Sequence, residues 1–157
     1  MNDQSNVTNA ENWSDSEMTY PDPGVLPVLG FLQLCADRRF HSSIQQKFQA
    51  DAELASPESY WIHADAGGTP KMECQTTAPD YCYYKKGVRQ MGWSAHGDGC
   101  GGFGEHVPDD VIRNELNEIA RRRAADYEDA THYIYFATMG TGKDAGQAVV
   151  HCMKHEP

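Results

Sequence analysis

Apolar positions along this chain fall into short continuous runs, separated by polar loops and by stretches in which they recur every three or four residues. Val25-Leu26-Pro27-Val28-Leu29-Gly30-Phe31-Leu32 is such a run and predicts a buried strand over residues 27–34. Ile44, Phe48, Ala52 and Ala55 then recur at helical spacing, predicting a helix over 42–55 that Ser56-Pro57 terminates. Tyr60-Trp61-Ile62 opens a second strand over 60–64, and Val88-Arg89-Gln90-Met91-Gly92-Trp93 leads into a third over 89–95. The connection between them, 69–84, contains proline and cysteine and carries neither period.

Pro108-Asp109-Asp110 starts a second helix, because acidic residues suit the positive N-terminal end. Val111, Leu116, Ile119 and Ala120 lie near one face, and Arg121-Arg122-Arg123 reads as a solvated cap in the last turn. Residues 132–138 and 147–152 complete the pattern as strands. Met139-Gly140-Thr141-Gly142-Lys143 lies between them and lacks phosphate-loop spacing, so it reads as a turn. Strands alternating with helices imply an α/β domain, with a mainly parallel central sheet of about four to five strands flanked by helices. Its expected span is 25–157, behind a flexible N-terminal arm over 1–24 that ends in Pro21-Asp22-Pro23-Gly24.

Composition narrows the class. At 157 residues, 39% hydrophobic and 23% charged, the chain fits one domain with its own core. A net charge of −10 argues against nucleic acid or an anionic membrane as principal partner. No run is long enough to span a membrane, and the polar, acidic first residues lack a secretory apolar region, so a cytoplasmic protein is expected. Without a signal peptide the sequons at Asn6 and Asn12 carry little meaning. Five cysteines without a Cys-x-x-Cys pair do not form a disulfide framework. Cys74, Cys82 and Cys152 read as packed or exposed thiols, the competing reading being a second, closed zinc site with His155.

The chemistry concentrates at the ends of two apolar runs. Cys35 closes the first, with Asp37 and Arg39 directly after it; His96 and Cys100 follow the third strand. Two thiolates and an imidazole offer Zn2+ three ligands and leave a fourth tetrahedral position open, as a catalytic site requires. Bound zinc lowers the pKa of water to about 7. Asp37 is then placed to accept a hydrogen bond from the nucleophile, and Arg39 to keep Asp37 ionised and turned away from the metal. In a doubly wound sheet, loops after two neighbouring parallel strands open on the same crevice, which brings Cys35 and His96 together.

Cys35-x-Asp37-x-Arg39, followed by His96 and by Cys100-Gly101-Gly102, resembles the β-class carbonic anhydrases. That family carries a Cys-x-Asp-Ser-Arg loop after its first strand and Gly-His-x-x-Cys-Gly-Gly after its third, with Asn-Ala-Gly between. Here the intermediate landmark is Asp65-Ala66-Gly67, and the resemblance frames residues 25–104. The chain departs from the pattern in three places: His96-x-x-x-Cys100 is one residue longer, and positions 38 and 65 hold Arg and Asp. It therefore reads as a divergent member or a sister class. Carboxysomal and algal low-CO2 types share the ligand set.

The resemblance implies reversible hydration of CO2 to bicarbonate and a proton, with zinc on Cys35, His96 and Cys100 and catalysis by Asp37 and Arg39. It also implies a homodimer or dimer of dimers. Gln33, Phe31, Tyr60 and Phe103 are candidate lining residues; His41, His63 and His106 are candidate proton shuttles, at least two of them expected to be plain surface histidines. Asp98 is a rival carboxylate, for the turn or for the metal. The alternatives are a carbon disulfide or carbonyl sulfide hydrolase of the same fold, and a non-catalytic zinc-binding regulatory module in which Asp37 or Asp98 closes the site.

Overall fold

The computed structural model describes Thr19, residues 27–104 and residues 106–157; the expected arm over 1–24 lies, apart from Thr19, outside the described residues. The described chain runs β1 (Gly30–Cys35), α1 (Arg38–Asp51), β2 (Tyr60–Asp65), α2 (Thr77–Asp80), β3 (Gln90–His96), α3 (Asp109–Asp126), β4 (Thr131–Met139) and β5 (Ala148–His155). One sheet holds the strands in the order β2-β1-β3-β4-β5; β1 pairs parallel with β2 and β3, β3 parallel with β4, and β5 closes the edge antiparallel to β4. The fold is thus the expected α/β class, with a five-stranded, mostly parallel sheet.

The order explains why the residues after β1 and β3 meet. From β1 the chain moves outward to β2, then crosses back over β1 to add β3 and β4 on the other side. The connections diverge between β1 and β3, opening a crevice at their carboxyl ends. Helix α1 covers one face, packing on β1, β3, β4 and β5; α3 and the β2–β3 connection cover the other. Alternate strand residues point to opposite faces, so each helix has its own core. Leu32, Leu34, Phe40, Ile44, Phe48 and Tyr135 fill the α1 side. Phe31, Met91, Trp93, Ile112, Leu116 and Tyr127 fill the α3 side. Burying one such side chain stabilises the fold by about 1.5–3 kcal/mol.

Several boundaries move for identifiable reasons. The first strand begins at Gly30, not at 27, because its ladder starts where Gly30 meets Tyr60 and Gln90. Helix α1 begins at Arg38, four residues before the expected start, because the Asp37 carboxylate accepts the Arg39 backbone N–H as an N-cap. It ends at Asp51, and Glu53 takes a left-handed φ of 53°, which leaves Ala55 exposed beyond the helix. On α3 the buried position is Ile112, while Val111 is exposed.

Arg123 also departs from the expected solvated cap. Arg121 and Arg122 pair at the surface with Glu118 and Glu73, but Arg123 is 4% exposed. Its guanidinium donates to the Glu73 carbonyl at 2.6 Å and lies 5.7 Å over the Trp93 ring. The connection without a period resolves into a 3₁₀ turn (Thr69–Met72), α2, and a π turn (Tyr81–Lys85). No described helix is long and apolar enough to cross a membrane.

Candidate metal centre

Cys35, Asp37 and Arg39 lie where β1 turns into α1, and His96 and Cys100 lie where β3 ends. Cys35 leaves β1 into the α3-side core, and the His96 ring stacks on Phe40 of α1, with centroids 4.4 Å apart. The two approach across the crevice from opposite faces. Cys35, His96 and Cys100 are all buried, and their ligand atoms lie within 4.8 Å of one another. Cys35 Sγ and Cys100 Sγ are 3.9 Å apart. Among the described residues this is the one group of three or more His, Cys, Asp or Glu placed to share an ion. Cys74, Cys82 and Cys152 form no second such group; Cys82 is a buried thiol, and the other two are exposed.

The donors suit a metal for reasons internal to the chain. His96 Nδ1 donates to the Gly97 carbonyl at 2.7 Å, which leaves the lone pair on Nε2. Nε2 is buried with no hydrogen-bond partner, an arrangement that costs free energy unless something electrophilic meets it. Cys35 Sγ accepts the Gly67 backbone N–H at 3.4 Å. That contact explains the glycines between the two clusters: a Cβ on Gly102 would fall 2.3 Å from Gly67 N, so the loops after β1, β2 and β3 close on the sulfur only without side chains there.

Charge is distributed accordingly. The Cys100 hydrogen bond, helped by His96 and by backbone N–H groups, outweighs burial and brings the Cys35 thiol down to about 4. The same contact, together with burial, pushes Cys100 up. Burial alone would lower His96; the Cys35 sulfur and the Gly97 carbonyl outweigh it, and His96 is raised. With Cys35 lowered and Cys100 raised, the metal-free cluster carries a thiolate on Cys35 and a thiol on Cys100, and an entering divalent ion displaces the proton of Cys100.

Asp37 and Arg39 form a tight pair beside this cluster. Arg39 Nη2 donates to Asp37 Oδ2 at 2.8 Å, and Nε donates to Oδ1 at 3.1 Å. The hydrogen bond from that guanidinium, chiefly, lowers the Asp37 carboxyl to about 2. Asp37 Oδ2 lies 3.6 Å from His96 Nε2, too far for a hydrogen bond, and its carboxylate stands outside the group of three that could share an ion. The remaining Arg39 donors reach the second loop, Nη1 to Asp98 O at 3.0 Å and Nη2 to Gly99 O at 2.8 Å. Asp98 is a turn residue here: its carboxylate accepts the Met139 backbone N–H at 2.5 Å.

The candidate lining residues separate. Gly99, Cys100, Gly101, Gly104 and His106 bound an open cleft of about 480 Å³ against the cluster. Tyr60 is ruled out by register: it pairs with Gly30, at the opposite end of β1 from Cys35. Phe31 is spent on the core, against Trp93. Gln33 is fully buried and donates Nε2 to His63 Nδ1 at 3.1 Å, and Lys71 Nζ sits 4.3 Å from the Phe103 ring centroid. His41 Nδ1 lies 3.4 Å from the Cys35 carbonyl. Phe40 under His96 has no isolated sequence signal; Gly67 and Asp109 read as a turn landmark and a helix start, which do not reveal that the Gly67 amide reaches Cys35 or that Asp109 Oδ1 accepts the Asp98 N–H at 3.0 Å.

No protein-family model matches the sequence, and no curated protein matches it either.

Proposed function

We propose that this protein is a zinc-dependent carbonic anhydrase that interconverts CO2 with bicarbonate and a proton, as the resemblance of its motifs suggests. The observation that carries the reading is Asp37, ionised and held at both oxygens by Arg39, beside an open Cys35-His96-Cys100 donor set with an orphaned Nε2. Two thiolates and an imidazole fit zinc, which when bound supplies a water of lowered pKa near neutral pH.

The chain's own groups do the rest. Asp37 Oδ2 accepts a hydrogen bond from the attacking water and so directs its lone pair toward the carbon of CO2. Arg39 keeps that carboxylate charged and prevents it from swinging onto the fourth position. The open cleft of about 480 Å³ bounded by Gly99, Cys100, Gly101, Gly104 and His106 is large enough for a small substrate to reach Cys100. His106 borders the same cleft and is a candidate to pass the product proton outward. A homodimer or dimer of dimers and a cytoplasmic setting belong to the same reading; sedimentation tests the first.

A second reading has one observation in its favour. Asp37 Oδ2 lies 3.6 Å from His96 Nε2, so a turn of its side chain toward the three donors would make it a fourth ligand and give a closed, non-catalytic zinc module. The several hydrogen bonds that hold Asp37 and Arg39 together oppose it. Stopped-flow CO2 hydration across pH, on protein of measured zinc content with Cys35→Ala as control, separates the two. Rapid zinc-dependent turnover lost in the variant supports the anhydrase. Stoichiometric zinc without turnover refutes it and leaves the closed module, or a hydrolase of carbon disulfide or carbonyl sulfide, which the same apparatus tests.

A further inference from the structure

The second loop is one residue longer than the β-class pattern, and the structure gives that length a use. Gly97 N donates to Ala137 O at 2.9 Å, Asp98 N donates to Asp109 Oδ1 at 3.0 Å, and the Asp98 carboxylate accepts Met139 N at 2.5 Å. The loop is thereby tied to the end of β4 on one side and the start of α3 on the other. Asp109 lies so close that a Cβ on Gly97 would meet its carboxylate at 2.1 Å, so a side chain at 97 would displace the carboxylate that accepts Asp98 N–H. Asp98 and Gly99 take φ of 54° and 78° in succession. Aspartate tolerates this conformation better than most residues. The two carbonyls of this left-handed pair are the acceptors of Arg39 Nη1 and Nη2.

From this we infer that Asp98 is a positioning residue of the metal centre. By anchoring residues 97–99 it fixes Arg39, and through Arg39 it holds the Asp37 carboxylate beside the fourth coordination position and off it. The inference rests on the zinc reading above. Its physical basis is orientation: Arg39 binds the carboxylate and both carbonyls with one planar fork, so freeing the carbonyls frees the fork to turn and the carboxylate with it. Arg39 is itself 40% exposed, so packing alone does not hold it.

The test uses full-length protein loaded with cobalt(II), whose visible bands report the fourth ligand, and azide as the probe of an open position. Asp98→Gly keeps the positive φ accessible and deletes the anchor; Asp98→Asn keeps an oxygen for the Met139 N–H. Wild type and Asp98→Asn should share one spectrum and one azide-induced change. Asp98→Gly should retain its cobalt but lose the azide response, and the zinc form should lose about tenfold or more in kcat. Should Asp98→Gly fail to fold, Arg39→Lys, which keeps the charge but not the fork, should give the same lost response. An azide response unchanged in Asp98→Gly or Arg39→Lys, loss of cobalt from either, or a wild type that ignores azide would each overturn the inference. Absence of CO2 hydration in wild type would sink the anhydrase reading, while the azide comparison still decides the role of Asp98.

Discussion

Asp37 performs two structural tasks with one side chain: its Oδ1 caps α1 through the Arg39 N–H, and both oxygens grip the Arg39 guanidinium. Capping and orientation are compatible because both fix the same carboxylate. Replacing Asp37 by Ala should leave zinc content intact while turnover falls about 10- to 100-fold, whereas Cys100→Ser should lose the metal itself; metal analysis beside stopped-flow rates checks both. The ion pair also predicts a pH dependence. Asp37 titrates at about 2 in the folded chain against an ordinary 3.8, so the folded state binds its proton less readily than the unfolded one. Its stabilisation is therefore complete above about pH 4 and disappears as the pH falls through 2. Because Arg39 is partly exposed, the magnitude is screened to about 1 kcal/mol. Urea midpoints of metal-free wild type and Asp37→Asn, which preserves the cap, should differ at pH 6 and converge near pH 2; a constant difference would disprove the linkage.

At the scale of elements, legibility followed length and regularity. The strands through Phe31, Trp61 and Trp93 were readable because continuous apolar runs leave few alternatives. Helix α1 starts ahead of its apolar period because its first turn, Arg38 to His41, is polar on the surface and shows only one apolar residue, Phe40, whose partner His96 lies far along the chain. Residues 69–85 were not assignable because each of their turns is shorter than the window in which a period can appear. Arg123 shows the limit of charge patterning: three consecutive arginines point in three directions around α3, and only the third faces the core. Its Nη2 satisfies the Glu73 carbonyl, tying α3 to the segment after Thr69–Met72. Arg123→Ala should accordingly cost about 2–3 kcal/mol by removing the hydrogen bond to Glu73 and leaving a hole beside Trp93, whereas Arg121→Ala should stay within about 0.5 kcal/mol. Equal effects in denaturant melts would contradict the burial argument.

For the whole molecule, the sheet order converts two distant sequence motifs into one site. Cys35 and Cys100 are 65 residues apart and come within 3.9 Å because β1 and β3 are neighbours. The residue types of the cluster could be read from the chain; the anchoring of the loop between His96 and Cys100 could not, because its partners, Ala137, Met139 and Asp109, belong to elements not yet formed when that loop is read alone. This division sets the last expectation. The two cores on either face of the sheet are built without the cluster's help apart from Cys35 and Cys100, so the metal-free chain should be folded. Metal then adds stability by mass action, about 4 kcal/mol at a thousandfold excess over its dissociation constant. For a domain of this size each kcal/mol raises Tm by about 2–4 °C, so zinc should lift it by about 8–16 °C, reversibly with a chelator. Circular dichroism melts with and without zinc distinguish the possibilities. A metal-free chain without a cooperative transition would mean that the site builds the sheet, and an unchanged Tm would mean that Cys35, His96 and Cys100 hold no ion.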